Sequence, residues 1–267
     1  MKEMPVKTIV DSQHTQGIEL LRNCQHGSDV AVYLVEEGPQ KFIRKSAATT
    51  NGAADLAREA AGWAWYQARR YPHRKVPICR QLLRGAYRRI DLEWIEGRKG
   101  DYRKGLLPNR EIIQLAFEQY CSIWPDAQDG LVPLHGDCSV DNLIMNDEGL
   151  HIIDWEHFQE RGGPWGFDPL YLLYETLWFS TGQQRLPNRK EVAVIAKSLM
   201  RLYKTGRLPE AFVLCPLQAV RTFIQDHREI WGGQLRRFPE KLPVVKFSDA
   251  QVAEMDRMVR QALNRTA

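Results

Sequence analysis

The chain has no long apolar run. No stretch of 18 consecutive apolar residues occurs, and the first seven residues, Met-Lys-Glu-Met-Pro-Val-Lys, lack the apolar core of a secretory signal. The sequence therefore predicts neither a transmembrane segment nor export. We expect a cytoplasmic protein.

Cysteine is scarce, and its spacing excludes two common kinds of site. The five cysteines form no Cys-x-x-Cys pair, which argues against a zinc knuckle and against a disulfide framework. We expect reduced packing residues. Cys138 is the exception to examine, because it follows Asp137 directly and a reactive thiol there is the alternative.

Repeats and low-complexity linkers are also missing, so the chain is an ordinary globular sequence. It has 267 residues, of which 43% are hydrophobic and 26% charged, with a formal net charge of +4. This length accommodates one large domain or two smaller ones with a sizeable core.

The most informative segment begins at His135 and ends at Asp154. It reads His-Gly-Asp-Cys-Ser-Val-Asp-Asn, followed by two short apolar runs around the turn at residues 146–149, and ends Ile-Ile-Asp-Trp-Glu. Three predicted strand ends then converge near His135, Asn142 and Asp154. Phosphoryl transfer needs oxygen ligands for Mg²⁺ and a carboxylate beside the attacking hydroxyl, and Asp137, Asn142 and Asp154 could supply them.

This pattern of His-Gly-Asp, four residues, Asn, and then Ile-Asp-Trp-Glu resembles the aminoglycoside phosphotransferase and choline kinase superfamily. The resemblance implies an α+β, two-lobed protein-kinase-like fold. Residues 1–96 would form an antiparallel-sheet, nucleotide-binding N-lobe, and residues 97–267 a mainly helical C-lobe with the catalytic loop, the metal site and the acceptor site.

The resemblance also implies a role for each residue of the motif. Asp137 would be the catalytic aspartate facing the acceptor hydroxyl, Asn142 and Asp154 would bind Mg²⁺, and His135 would brace the loop. Asp168 would begin the next helix as its N-cap and steady the catalytic loop. The alternative for these residues is a polar hairpin loop with a carboxylate that caps a turn.

Upstream, alternating residues from Ser28 to Glu37 and the run 41–45 predict a β-hairpin, with an alanine-rich helix over residues 53–69. The resemblance pairs Lys45 of this hairpin with Glu59 of the helix, so that the lysine contacts the phosphates of ATP, or of GTP as the alternative donor. We choose Lys45 over Arg44 because strand alternation places the two on opposite faces.

The segment Ile90–Gly97 resembles the link between the two lobes. The adenine ring would lie against Glu93, Trp94 and Ile95, and the alternative is an amphipathic edge strand. The loop Cys24–Ser28, which precedes the β-hairpin, has a single glycine, and whether it contacts the nucleotide is left open.

Downstream, hydrophobic periodicity predicts helices over residues 109–124, 188–203, 216–231 and 248–263, the last with a Ser248-x-x-Gln251 capping box. Residues 161–166 are predicted to form a loop.

The acceptor is the open question. Residues 69–104 contain twelve Lys or Arg and four Asp or Glu, a local excess of eight positive charges. This suggests an anionic acceptor such as a sugar phosphate or a glycolipid met at a membrane surface, and it argues against cationic aminoglycosides or choline. The alternative is a solvated basic face.

Together these observations predict transfer of the ATP γ-phosphoryl group, with Mg²⁺, to a hydroxyl of a small molecule or glycan. The alternative is a catalytically inactive kinase-like scaffold that binds a partner. Nucleic acid is not an expected partner, since no binding motif accompanies the basic stretch. The oligomeric state is left open.

Overall fold

The structure is a computed structural model that describes residues 17–22, 29–73, 79–84, 87–181, 185–231 and 243–265. Its N-terminal part is built on an antiparallel sheet with the strand order β1-β2-β3-β5-β4. The five strands are β1 (Ile18–Arg22), β2 (Val30–Glu37), β3 (Gln40–Ala47), β4 (Cys79–Arg84) and β5 (Tyr87–Glu93). The predicted antiparallel N-terminal sheet is confirmed.

The β2–β3 hairpin has the predicted position. Its strands pair in regular register, with Val32 opposite Lys45 and Glu37 opposite Gln40, across a turn in which Gly38 has a φ of 59°. Helix α1 (Thr50–Arg70) follows and begins three residues earlier than predicted, because the Thr49 side chain accepts a hydrogen bond from the Gly52 N–H and caps the helix.

The remainder of the chain is mainly helical. Its helices are α2 (Arg110–Ile123), α3 (Phe167–Thr181), α4 (Arg189–Tyr203), α5 (Glu210–Leu214), α6 (Pro216–Asp226) and α7 (Asp249–Asn264). Short strands form two small antiparallel sheets, β6-β8-β9 and β10-β7, from β6 (Arg98–Lys99), β7 (Val132–Leu134), β8 (Leu143–Asn146), β9 (Gly149–Ile152) and β10 (Gln159–Gly163).

Three local predictions were wrong. Residues 161–163 of the predicted loop belong to β10 (Gln159–Gly163), because this segment pairs with β7, a partner that local sequence does not reveal. The predicted helix over residues 216–231 ends at Asp226, and a 3-10 turn follows. Asp168 lies inside the first turn of α3 instead of preceding it, since the helix begins at Phe167.

Aromatic packing fixes α1 against the C-terminal part. Tyr66 and Trp155 are fully buried with ring centroids 5.2 Å apart, and the Tyr66 hydroxyl accepts a hydrogen bond from the Ile152 N–H at 3.1 Å. These contacts place the helix that carries Glu59 against the strand that leads to Asp154. Among the described residues, none of the helices has the length and apolar character needed to span a membrane.

Candidate active site

The loop after β7 is held by a buried carboxylate. Asp168 accepts hydrogen bonds from the backbone N–H groups of His135 (2.9 Å) and Gly136 (3.1 Å). Gly136 has a φ of 83°, a conformation that L side chains rarely adopt, so the chain can turn sharply here. Burial raises the pKa of Asp168 to about 7, although both hydrogen bonds oppose the rise.

His135 links this loop to β9. Its Nε2 donates to the Ile153 carbonyl at 3.0 Å, and its Nδ1 accepts the Asp137 N–H at 3.3 Å. Burial lowers the pKa of His135 to about 4, so the ring is neutral at physiological pH, as this pair of bonds requires. The contacts are those of a brace for the loop.

Asp137 and Asn142 lie side by side. The Asn142 Nδ2 donates to the Asp137 carbonyl at 2.9 Å and is 3.5 Å from the Asp137 Oδ2. Asp137 is half-buried, so its carboxylate can reach a bound molecule. Burial raises the pKa of Asp137 to about 6; the charge of His157 opposes this rise and that of Asp154 adds to it.

Lys45 joins the two parts of the molecule. Its Nζ is 2.8 Å from the Glu59 Oε2 and 2.5 Å from the Asp154 Oδ1. Burial disfavours the ammonium form, but Asp154 and Glu59 outweigh it and hold the pKa of Lys45 above its usual value. Burial raises the pKa of Glu59 to about 7 against the opposing charge of Lys45.

For Asp154, neighbouring positive charges outweigh the effect of burial on the pKa. Burial would raise its pKa, but the charges of Lys45 and Arg22 hold the pKa below its ordinary range, so the carboxylate is ionised. Its φ of 65° lies in the left-handed region, which is rare for residues other than glycine and is frequent at functional sites.

A cleft of about 350 Å³ collects most of the residues that the sequence singled out. Its lining includes all of the predicted nucleotide and metal residues: Lys45, Glu59, Glu93, Trp94, Ile95, Asn142 and Asp154. Asp137 is outside this lining, next to Asn142. The loop Cys24–Ser28 lies outside the described residues.

The arrangement fits Mg²⁺ bound together with phosphates. Asn142 uses its Nδ2 within the protein, and its Oδ1 makes no hydrogen bond to a described residue. Within the described part of the chain, no group of three or more His, Cys, Asp or Glu side chains could hold a metal ion alone. Mg²⁺ typically takes one or two protein carboxylates and completes its shell with substrate phosphates and water, so Asp154 and Asn142 suffice.

Sequence reasoning missed several residues of the site. Arg22, Trp63 and Lys99 also line the cleft, and the Arg22 guanidinium is 3.5 Å from the Glu156 carboxylate. Glu156 stands in the quoted Ile-Asp-Trp-Glu run and could have been found there. Arg22, Trp63 and Lys99 reach the cleft only through strand pairing and helix packing.

The surroundings of Asp137 are acidic, which the sequence did not indicate. Glu175 of α3 is buried, and burial raises its pKa well above the usual range, with Asp137 and Asp141 adding to the rise. Asp141 accepts a hydrogen bond from the Ser139 hydroxyl at 2.8 Å. Burial also raises the pKa of the Cys138 thiol, so a reactive thiolate is not favoured there.

Several arginines of the basic stretch form ion pairs or hydrogen bonds within the protein. Arg89 pairs with Asp91 at 2.8 Å, Arg98 with Glu111 at 2.5 Å, and Arg70 donates to the Glu148 carbonyl. Residues 74–78 and 85–86 of the stretch lie outside the described ranges.

Comparison with known proteins gives the fold but not the reaction. No protein-family model matches the chain, and no curated protein sequence matches it. A Plasmodium vivax ethanolamine kinase structure is similar over 96% of this chain and 84% of that one, at 9% identity and a TM-score of 0.50. This chain has a protein-kinase-like fold.

The kinase-like α+β fold that the resemblance implies is thus confirmed. Two further kinase-like structures are similar at lower TM-scores. A Haemophilus somnus protein assigned as a fructosamine-3-kinase covers 93% of this chain and 92% of its own, with 12% identity and a TM-score of 0.48. A spectinomycin phosphotransferase structure is similar over 92% of this chain and 94% of that one, with 10% identity and a TM-score of 0.38.

Proposed function

We propose that this kinase-like protein is a Mg²⁺-dependent phosphotransferase that moves the γ-phosphoryl group of ATP to a hydroxyl of a small molecule or glycan. The observation that carries the proposal is the position of the Lys45 ammonium between Glu59 and Asp154, at 2.8 and 2.5 Å. A buried lysine held in this way is organised before phosphate binds, as phosphoryl transfer requires.

The nucleotide would occupy the cleft of about 350 Å³. Its base would lie against Glu93, Trp94 and Ile95, where the chain leaves β5, and its phosphates would extend toward Lys45 and Asp154. GTP is the alternative donor.

Each polar residue then has a distinct task. Lys45 offsets negative charge on the phosphates, and Glu59 holds it in place. Mg²⁺, bound by Asp154 and Asn142, would supply charge neutralisation between the phosphates. Asp137 lies next to Asn142 and would orient the acceptor hydroxyl and take its proton as the new bond to phosphorus forms.

We revise the charge expected of the acceptor. Asp141, Asp154 and Glu156 make the electrostatic potential around Asp137 more negative, and several arginines of the basic stretch are paired elsewhere. These charges favour a neutral or cationic acceptor over the anionic sugar or glycolipid that the sequence suggested. Added salt should leave turnover of a neutral acceptor unchanged, and a steep loss of affinity with salt for an anionic acceptor would restore the earlier hypothesis.

The lobe boundary and the cellular location stay predictions. Strand β5 ends at Glu93, and every catalytic-loop residue follows Gly97, which supports a division at residue 96 into a nucleotide-binding and a catalytic part. Dependence on ATP favours the cytoplasm.

ADP formation measured across sugars, amino alcohols, aminoglycosides and glycolipids tests the proposal against the inactive scaffold. The protein with ATP and Mg²⁺ should release ADP in an acceptor-dependent manner, and Asp137→Asn should reduce this at least a hundredfold. Asp129→Asn, an exposed carboxylate, is the matched control. Nucleotide binding without turnover of any acceptor would favour the scaffold.

A further inference from the structure

Arg22 reaches the nucleotide cleft because of an irregularity in β1. Leu20 lies opposite Tyr33 of β2, so regular pairing would place Arg22 opposite Ala31. The register shifts between Leu20 and Arg22, and Arg22 lies opposite Val32 instead. Since the side-chain period of a strand is two, this one-residue shift moves the guanidinium to the other face of the sheet.

That face is the one that carries Lys45. Val32 lies opposite both Arg22 and Lys45, so the three residues form one row across three strands. Residues in such a row point to the same side of the sheet, and two strand spacings put the Cα atoms of Arg22 and Lys45 roughly 10 Å apart. Arg22, Val32 and Lys45 all line the cleft.

The Arg22 guanidinium has unused hydrogen-bonding capacity. Its contact within the described part of the chain is to the Glu156 Oε2, at the long distance of 3.5 Å, and its Nε is buried there without a hydrogen-bond partner. A guanidinium offers five donors in a fixed fork that matches phosphate oxygens. The Glu156 backbone is also held, since the Arg58 Nε donates to its carbonyl at 2.8 Å.

The charge balance of the cleft is consistent with this role. Lys45 already faces two carboxylates, Glu59 and Asp154, and Glu156 adds a third negative charge. The Lys45 ammonium is thus shared among several carboxylates of the protein. The Arg22 guanidinium interacts with the same carboxylates, Asp154, Glu156 and Glu59.

We propose that Arg22 is a second phosphate-binding residue, which contacts the phosphate chain of the nucleotide beside Lys45 and which Glu156 positions when no nucleotide is bound. The proposal rests on the proposed function, because it assumes that the cleft takes a nucleotide. A purely structural role for the Arg22–Glu156 pair, as a link between the two parts of the molecule, is the competing account.

Calorimetric binding of ADP and of adenosine to the full chain, both in EDTA, separates the two accounts. Arg22→Ala should weaken ADP binding about tenfold or more and leave adenosine binding unchanged, because only ADP has phosphates. Arg22→Lys should recover part of the loss. Lys41→Ala removes an exposed positive charge from β3 and is the control for long-range electrostatics.

Glu156→Gln gives an independent answer even if Arg22→Ala folds poorly. Removal of the competing carboxylate should leave ADP binding as tight as in the wild type or tighter, whereas a structural ion pair predicts weaker binding in step with Arg22→Ala. Equal ADP affinity of wild type and Arg22→Ala, or parallel losses for ADP and adenosine, would overturn the proposal and leave the nucleotide site standing. A wild-type protein that binds neither compound would overturn both the proposal and the proposed function.

Discussion

Lys45 has its ammonium group between Glu59 of α1 and Asp154 after β9; Lys45 and Glu59 are buried, and Asp154 is partly exposed. Lys45→Ala should therefore do two kinds of harm. It removes the cation that would meet the phosphates, and it leaves two carboxylates without their shared partner. We expect phosphoryl transfer to fall about a hundredfold or more in steady-state kinetics.

Two comparisons make this prediction specific. Glu59→Gln should reduce transfer less than Lys45→Ala, because Glu59 acts through Lys45. Lys41→Ala lies on the same strand with an exposed side chain and should have wild-type activity. A Lys45→Ala protein that folds normally and transfers phosphate at the wild-type rate would contradict the assigned role.

A second prediction concerns His135 and the pH dependence of the stability of the protein. Its pKa is about 4 in the folded protein and near 6.5 when unfolded, so below pH 6.5 the unfolded state binds the proton more strongly. His135 should therefore cost stability as the pH falls from 6.5 to 4, by about 3 kcal/mol in total. Chemical denaturation at several pH values measures this loss.

The pH dependence of stability in a His135 variant tests this prediction. His135→Gln keeps an N–H donor for the Ile153 carbonyl but cannot take up a proton, so its stability should fall less steeply over the same pH range. Equal slopes for the variant and the wild type would show that His135 is not the group responsible.

The catalytic loop is the element on which the site depends most directly. A Cβ atom at Gly136 would lie 2.8 Å from the His157 Cβ, in addition to the strain of a φ of 83°. Gly136→Ala should lower stability and abolish most transfer, because the loop would have to move Asp137. Thermal unfolding and a transfer assay on the same preparation measure both effects.

Gly130 provides a close control for Gly136. Its φ is 78°, yet a Cβ there has no neighbour within 4 Å. Gly130→Ala should carry a backbone cost of about 1 kcal/mol and have normal transfer. Equal loss of transfer in the two variants would mean that contact with His157 is not what fixes the loop.

Helix α7 allows a prediction about stability alone. The Ser248 hydroxyl accepts from the Gln251 N–H at 3.2 Å, and the Gln251 side chain accepts from the Ser248 N–H at 2.9 Å, so the predicted capping box is present. Ser248→Ala should cost about 1 kcal/mol in a denaturation experiment without changing transfer. An unchanged unfolding midpoint would contradict it.

Local signals explain which elements could be predicted. The β2–β3 and β8–β9 hairpins combine apolar runs with a turn of a few residues, and the sequence shows both parts. Strand β10 pairs with β7 from about 25 residues away, and nothing within Gln159–Gly163 reveals that partner. The same limit applies to the helix expected over residues 216–231, which gives way to a 3-10 turn after Asp226.

The residues of the candidate site also differ in whether local sequence could predict them. Asp137, Asn142 and Asp154 belong to one short segment whose turns bring them together, so the motif was sufficient to select them. Arg22 needs a β-bulge and two strand pairings to reach the cleft, and Glu175 needs the packing of α3 below the loop. Neither position has a signal in local sequence.

At the scale of the whole molecule, the account requires that the N-terminal sheet and the C-terminal part act together. The Lys45–Asp154 ion pair joins them, and the Tyr66–Trp155 contact packs α1 against the strand end that carries Asp154. The nucleotide would bind between these parts, with its γ-phosphoryl group directed toward Asp137.

Direct observation of the transferred group tests this account most sharply. ATP labelled in its γ-phosphoryl group is incubated with Mg²⁺, the acceptor panel and wild-type protein, Asp137→Asn or Asp154→Asn, and the label is followed onto the acceptor. We predict label on an acceptor hydroxyl with the wild type, and a loss of at least a hundredfold in both variants while each keeps a cooperative unfolding transition. Transfer that persists in both variants, or a wild type that labels no acceptor and binds no nucleotide, would contradict the central claim.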